Sequence, residues 1–169
     1  MSLYSVNKLI SEARRIAADY RRATGKPLGI SSEIACHDAC TFLELEAQED
    51  AIGYDAIGIS AERKGQLFQI KGRAIFDEAK GGQRIGQIKV DQNWDKILLV
   101  LMNDDFETTQ IYEASRQEIL KDLNDKNSSN RQKRGAMSVA RFKRIAQLVW
   151  DKDEGLIEDK VWDNQASTI

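Results

Sequence analysis

Apolar and polar positions change period several times along this chain, and each change marks an element. Val6, Leu9, Ile10, Ala13, Ile16, Ala17 and Tyr20 recur at helical spacing, which predicts an amphipathic helix over residues 5–22. Gly25 suits a helix stop, and Pro27 enforces the break. A second helix is expected from Ser31 or Ser32, either able to cap it, to Glu46. Its apolar face holds Ala35, Cys36, Ala39, Cys40, Phe42 and Leu43, and Glu33 falls in its first turn on the edge of that face.

The period then drops to two. Gly53 opens Tyr54-Asp55-Ala56-Ile57-Gly58-Ile59 as a short strand, Glu62 to Gly65 reads as a turn, and Gln66 to Lys71 follows as the antiparallel partner. Leu67, Gln69 and Lys71 point one way from that partner, and Phe68 and Ile70 the other. Gly81-Gly82 marks a loop, and residues 83–93 show no period that assigns them. The unbroken run from Ile97 to Met102 reads as a central strand covered on both faces. Asn103-Asp104-Asp105 turns into a further strand, Thr108 to Glu113. Ser115 and Glu118 form a capping box for a helix through Leu123. After a polar loop, Ser138 caps a last helix in which Phe142, Ile145, Ala146 and Val149 are the buried stripe. This order implies an α/β sandwich: a central mixed sheet of about four to five strands flanked by helices. Residues 1–152 are expected to form one domain with an N-terminal helix and a C-terminal basic helix, and residues 153–169 an acidic tail.

Composition narrows the class. The chain has 169 residues, 41% apolar and 31% charged, which suits one globular domain with a real core. Its longest apolar run is far too short for a bilayer, and its start lacks the basic and apolar pattern of a signal peptide, so a cytoplasmic protein with no membrane partner is expected. Cys36, His37 and Cys40 resemble a metal fragment without a second ligand pair, since His37 is the only histidine; small buried thiols are the plainer reading. The net charge of −2 hides an uneven distribution. Lys126, Arg131, Lys133, Arg134, Arg141, Lys143 and Arg144 fall in a stretch with no acid, which is either a solvated face or a contact for a polyanion. Trp94 and Trp150 could stack on bases, but their positions favour the core.

Asp55 stands in a strand otherwise made of aromatic, aliphatic and glycine residues, where a carboxylate needs a compensating partner. The hairpin brings it near Lys71, and a buried Asp–Lys pair would satisfy both. Metal-assisted phosphodiester hydrolysis fits equally. Asp55 would offer a carboxylate oxygen to Mg²⁺ or Mn²⁺, with the Gln69 amide oxygen or the Ile70 carbonyl as a neutral ligand. Lys71 would then act on the attacking water and the phosphate, and Glu33 would hold a second ion or a metal-bound water. Serine or cysteine hydrolase triads and phosphate-binding glycine loops have no match.

An aspartate on one strand followed by Gln69-Ile70-Lys71 on the next resembles the PD-(D/E)XK superfamily, the restriction-endonuclease-like fold. More closely, Ser32-Glu33-Ile34-Ala35 on a helix, Gly53-Tyr54-Asp55-Ala56, and Phe68-Gln69-Ile70-Lys71-Gly72-Arg73 resemble a group of uncharacterised bacterial proteins of that fold, over about residues 28–120. The resemblance implies a restriction-endonuclease-like domain and a Mg²⁺-dependent nuclease acting on DNA. A catalytically degenerate nuclease fold that binds nucleic acid or a protein is the alternative. Tyr54 stands where the superfamily has proline, and Gln69 replaces its second acid, so the site has one fewer negative charge with which to hold Mg²⁺. Under the same reading Arg73 continues the site strand toward phosphate, and Arg131, Lys133, Arg134, Arg141, Lys143 and Arg144 supply backbone contacts to DNA. A homodimer suits duplex cutting.

Overall fold

Among the described residues, seven strands form one sheet and lie across it in chain order. They are β1 (Leu45–Ala47), β2 (Ala56–Gly58), β3 (Leu67–Ala74), β4 (Lys96–Met102), β5 (Thr108–Ser115), β6 (Gln147–Asp151) and β7 (Gly155–Leu156). Four helices accompany them among the described residues: α1 (Val6–Thr24), α2 (Ser31–Leu43), α3 (Arg116–Leu123) and α4 (Val139–Ile145). The computed structural model describes residues 5–125, 127, 129–130 and 134–157. Neighbouring strands are antiparallel except β3 and β4, which run parallel with Phe68 opposite Lys96 and Ala74 opposite Met102. A parallel pair cannot be closed by a tight turn. The chain crosses between the two through residues 75–95, which contain no helix and no named strand.

Alternation along β3 and β4 sorts the core into two faces. Phe68, Ile70, Leu98, Val100 and Met102 meet Ile34, Ala35, Ala39 and Leu43 of α2. On the other face Ile97, Leu99 and Leu101 meet Trp94, Ile88, Ile119 and Phe142. Burying each of these large side chains stabilises the fold by roughly 1.5–3 kcal/mol. Gly72 allows the first layer to close: a Cβ there would lie 2.5 Å from the Ala35 Cβ and 3.0 Å from the Ser31 carbonyl oxygen. Buried charges are matched. Asp38 receives Arg14 at 3.0 Å and the Thr108 hydroxyl at 2.7 Å, while Glu113 receives Arg63 at 2.9 Å and Lys96 at 2.8 Å.

Several expectations hold. Gly25 ends α1 at φ 72 and donates its N–H to the Arg21 carbonyl, Ser138 caps α4, and the Ser115–Glu118 capping box is complete. Others are corrected. Ser31 and Ser32 are not caps, because Ile30 holds the N-cap position without a side-chain bond. Helix α2 ends at Leu43 rather than Glu46, through Glu44 at φ 54, because Leu45 is drawn into the sheet opposite Gly58. Val149 belongs to β6, not to a helix. Leu148-Val149-Trp150 suits a strand as well as a helix face, and pairing with β5 removes that strand's open edge. With β1, β6 and β7 added, the count rises from four or five strands to seven, and the sheet continues past residue 152.

Candidate active site

The site begins where β2 stops and β3 continues. Their last paired positions are Ala56 and Phe68, and one further backbone bond joins the Asp55 N–H to the Phe68 carbonyl at 2.7 Å. Beyond that point the alternation turns the Ile70 peptide toward the same edge, where no β2 residue remains to meet it. The Asp55 side chain takes the place of a strand. Its Oδ2 accepts the Ile70 N–H at 2.7 Å. Asp55 therefore lies just before β2 and is exposed, not buried in mid-strand. No ion pair joins it to Lys71, whose Nζ instead donates to the Gln87 carbonyl at 2.9 Å. The simple Asp–Lys pair is not formed.

Gln69 and Lys71 lie on the expected common face of β3, opposite Ile70. Gln69 is only 2% exposed. Its Nε2 donates to the Gly53 carbonyl at 2.9 Å and to the Lys89 carbonyl at 3.4 Å. Two carbonyls in front of the amide fix its orientation, because only the nitrogen can face them. Its Oε1 is buried and has no hydrogen-bond partner. An orphaned buried acceptor costs roughly 1–3 kcal/mol. Gly53 can approach so closely because it has no side chain: its φ is 96, and a Cβ would meet the Gln92 Cβ at 2.6 Å.

Burial holds the Lys71 ammonium below the ordinary lysine value of 10.5. The Asp55 charge opposes that shift, and Lys89 adds to it. On the α2 side, Glu33, Asp55 and Ile70 line a cleft of about 780 Å³ with Val6, Cys36 and Cys40. Asp55 thus acts across the edge on both faces of β3. The two cysteines are free and half-buried, and they hydrogen-bond to each other, which lowers the pKa of the Cys36 thiol and raises that of Cys40. They border the cleft and are not sealed in the core.

No periodicity marks the segment over the site. Trp94 Nε1 donates to the Lys89 carbonyl at 2.8 Å, and Arg116 donates to the carbonyls of Val90, Gln92 and Trp94 at 2.8, 2.9 and 3.0 Å. These bonds hold residues 88–94 in place without regular secondary structure, and so position the carbonyl that Gln69 meets. Gln87, which receives Lys71, donates its own amide to the Arg134 carbonyl at 3.0 Å. Trp94 is buried at 1% and Trp150 stacks on Phe42 at 4.3 Å, so both serve packing.

The basic residues divide. Arg73, Arg134 and Arg144 are exposed. Lys143 is exposed with its Nζ 5.3 Å from the centre of the Tyr112 ring. Arg141 is committed to Asp122, with Nε to Oδ2 at 2.5 Å and a second bond to the carbonyl at 2.8 Å. Lys126, Arg131 and Lys133 lie outside the described residues.

Asp55, Ile70 and Glu33 line the cleft on the α2 side, while Gln69, with its orphan Oε1, is buried on the opposite face of β3 with Lys71, so a hard cation at the cleft would find the Asp55 and Glu33 carboxylates and the Ile70 carbonyl first. Among the described residues no three His, Cys, Asp or Glu side chains converge as a metal cluster, so such an ion would depend on neutral oxygens and water. Compared with protein-family models and with curated proteins, the sequence matches none. No helix among the described residues is long and apolar enough to cross a membrane.

Proposed function

We propose that this protein is a divalent-metal-dependent nuclease of the restriction-endonuclease-like kind, hydrolysing phosphodiester bonds in DNA. The observation that carries the reading is Asp55 at the open edge of β3, its carboxylate on the Ile70 N–H beside the cleft that Glu33 also lines, with Gln69 Oε1 next along the strand buried without a hydrogen-bond partner, as are Gln66 Oε1 and Gln92 Oε1. Asp55 and the Ile70 carbonyl would hold Mg²⁺ or Mn²⁺ at the cleft, and Glu33 would bind a coordinated water or a second ion. The bound ion supplies a Lewis acid for the phosphate and a more acidic water. Lys71, steered by the Gln87 carbonyl, places a partly desolvated ammonium where negative charge develops. Arg73, Arg134, Lys143 and Arg144 supply contacts to the phosphate backbone, together with Arg131 and Lys133. Arg141 is excluded from that set by its bonds to Asp122.

The test is incubation of the full chain with supercoiled plasmid and short duplexes in Mg²⁺ or Mn²⁺. Metal-dependent nicking is expected, with Lys71→Ala losing roughly 10²–10³-fold in rate and Asp55→Asn losing the metal dependence. Intact substrate with both metals overturns the proposal. With no cluster of three such ligands among the described residues, a second reading is favoured, a degenerate site that binds DNA without cutting. Salt-sensitive binding that survives Asp55→Asn and weakens with Arg73→Glu and Arg134→Glu, without any cleavage, would establish it.

A further inference from the structure

A second cavity, of about 800 Å³, opens where β3 runs past Gly72, and it collects positive charge. Arg21, Arg73 and Lys80 line it against a single acid, Asp77, whose carboxylate already accepts the Ala79 N–H at 3.0 Å. None of the three cations has an ion-pair partner among the described residues. Arg21 instead lays its guanidinium over the Phe76 ring, 3.9 Å from the centre. In a chain with 27 acidic and 25 basic residues, these cations form a local charge that the fold leaves unbalanced. Ser31 lines the same cavity at the start of α2, where Ile30 provides no side-chain cap, so the positive end of that helix adds to the field. Leu28, Ile75 and Phe76 give the cavity an apolar wall.

We propose that this cavity binds a nucleoside phosphate through its terminal phosphate group. Three cations against one carboxylate leave two positive charges over. A phosphomonoester carries about −1.5 to −2 at neutral pH, and an internal phosphodiester only about −1. The surplus therefore matches a terminal phosphate better than the backbone of a strand. Arg21 and Arg73 each offer a planar fork of donors to phosphate oxygens, and Lys80 a point charge. Local bonds hold the Lys80 segment in place: the Asp77 carbonyl accepts the Lys80 N–H at 3.3 Å and the Gln83 amide at 3.4 Å. The volume falls within the roughly 300–1,000 Å³ of small-ligand sites, far more than a bare phosphate fills. The apolar wall receives the flat face of the base. A free nucleotide and the phosphorylated end of a nucleic-acid strand present the same group. This inference does not rest on the nuclease reading: Arg73 serves both, while Arg21 and Lys80 belong to the cavity alone.

Calorimetric titration of the full chain with adenosine 5′-monophosphate, adenosine and inorganic phosphate, all in EDTA, tests it without metal or cleavage. The nucleotide is expected to bind, with adenosine and inorganic phosphate each at least about tenfold weaker. Lys80→Gln and Arg73→Gln are each expected to weaken the nucleotide about tenfold, the scale of one charge-assisted hydrogen bond. Their melting temperatures should not change, because both side chains are exposed. Lys64→Gln, at an exposed lysine away from the cavity, is expected to leave binding unchanged. A nucleotide that does not bind, or binds no tighter than adenosine or phosphate, overturns the proposal. So does binding indifferent to Lys80→Gln and Arg73→Gln, or weakened equally by Lys64→Gln. Competition by a 5′-phosphorylated oligonucleotide but not its 5′-hydroxyl counterpart upholds the site and assigns it to a strand end. Competition by neither upholds it for a free nucleotide, and equal competition by both overturns the terminal-phosphate assignment.

Discussion

Lys71 is the group at the site whose charge the fold works against. Burial lowers its pKa below 10.5, while the unfolded chain leaves the ammonium fully solvated. Between the two values the unfolded state binds more protons, so raising the pH through that window stabilises the fold. Below the folded-state pKa both states carry the proton and the penalty is constant. The stability of wild type relative to Lys71→Met, from urea unfolding, should therefore be flat near neutrality and rise as the pH approaches 10.5. A difference that stays flat to that pH means the ammonium is not desolvated. At this scale the sequence showed much. Gln69 and Lys71 share a face because side chains alternate, and Ile70 opposes them for the same reason. Asp55 was misplaced because the end of β2 depends on Gly53 folding against Gln92, a contact across nearly forty residues.

Elements are set by local pattern until two patterns compete. Helices α1 and α3 have unambiguous stops or caps, and β4 is apolar throughout, so each follows its sequence closely. Val149 was expected in the last helix, and the free edge of β5 drew residues 147–151 into a strand instead. Contact between elements is sharper still at Gly72, where α2 rests on β3. Gly72→Ala places a methyl 2.5 Å from the Ala35 Cβ and is expected to cost about 1–3 kcal/mol by overpacking. Gly86→Ala is the control, since its Cβ would meet the Lys71 Cδ at an ordinary 3.8 Å. It is expected to change stability by less than about 0.5 kcal/mol. Thermal melting of both variants decides, and equal losses would mean that the β3–α2 approach is not limiting.

Over the whole molecule, an ion that binds only the folded chain raises its melting temperature in proportion to the logarithm of ion concentration. Millimolar Mn²⁺ is expected to raise the wild-type melting temperature and to leave Asp55→Asn unmoved, a readout independent of cleavage. An equal shift in both would place the ion elsewhere. The sequence alone determined which residues face together: the hairpin's two sides, the core strand, and the apolar stripe of α1. Periodicity carries that information because each element repeats its own geometry along the chain. Only the tertiary structure decided where β2 ends, that Asp55 takes over the Ile70 N–H, and that Arg116 ties residues 90–94 over Gln69. Those outcomes join residues far apart in the chain through single polar contacts, and a contact made once leaves no period to read.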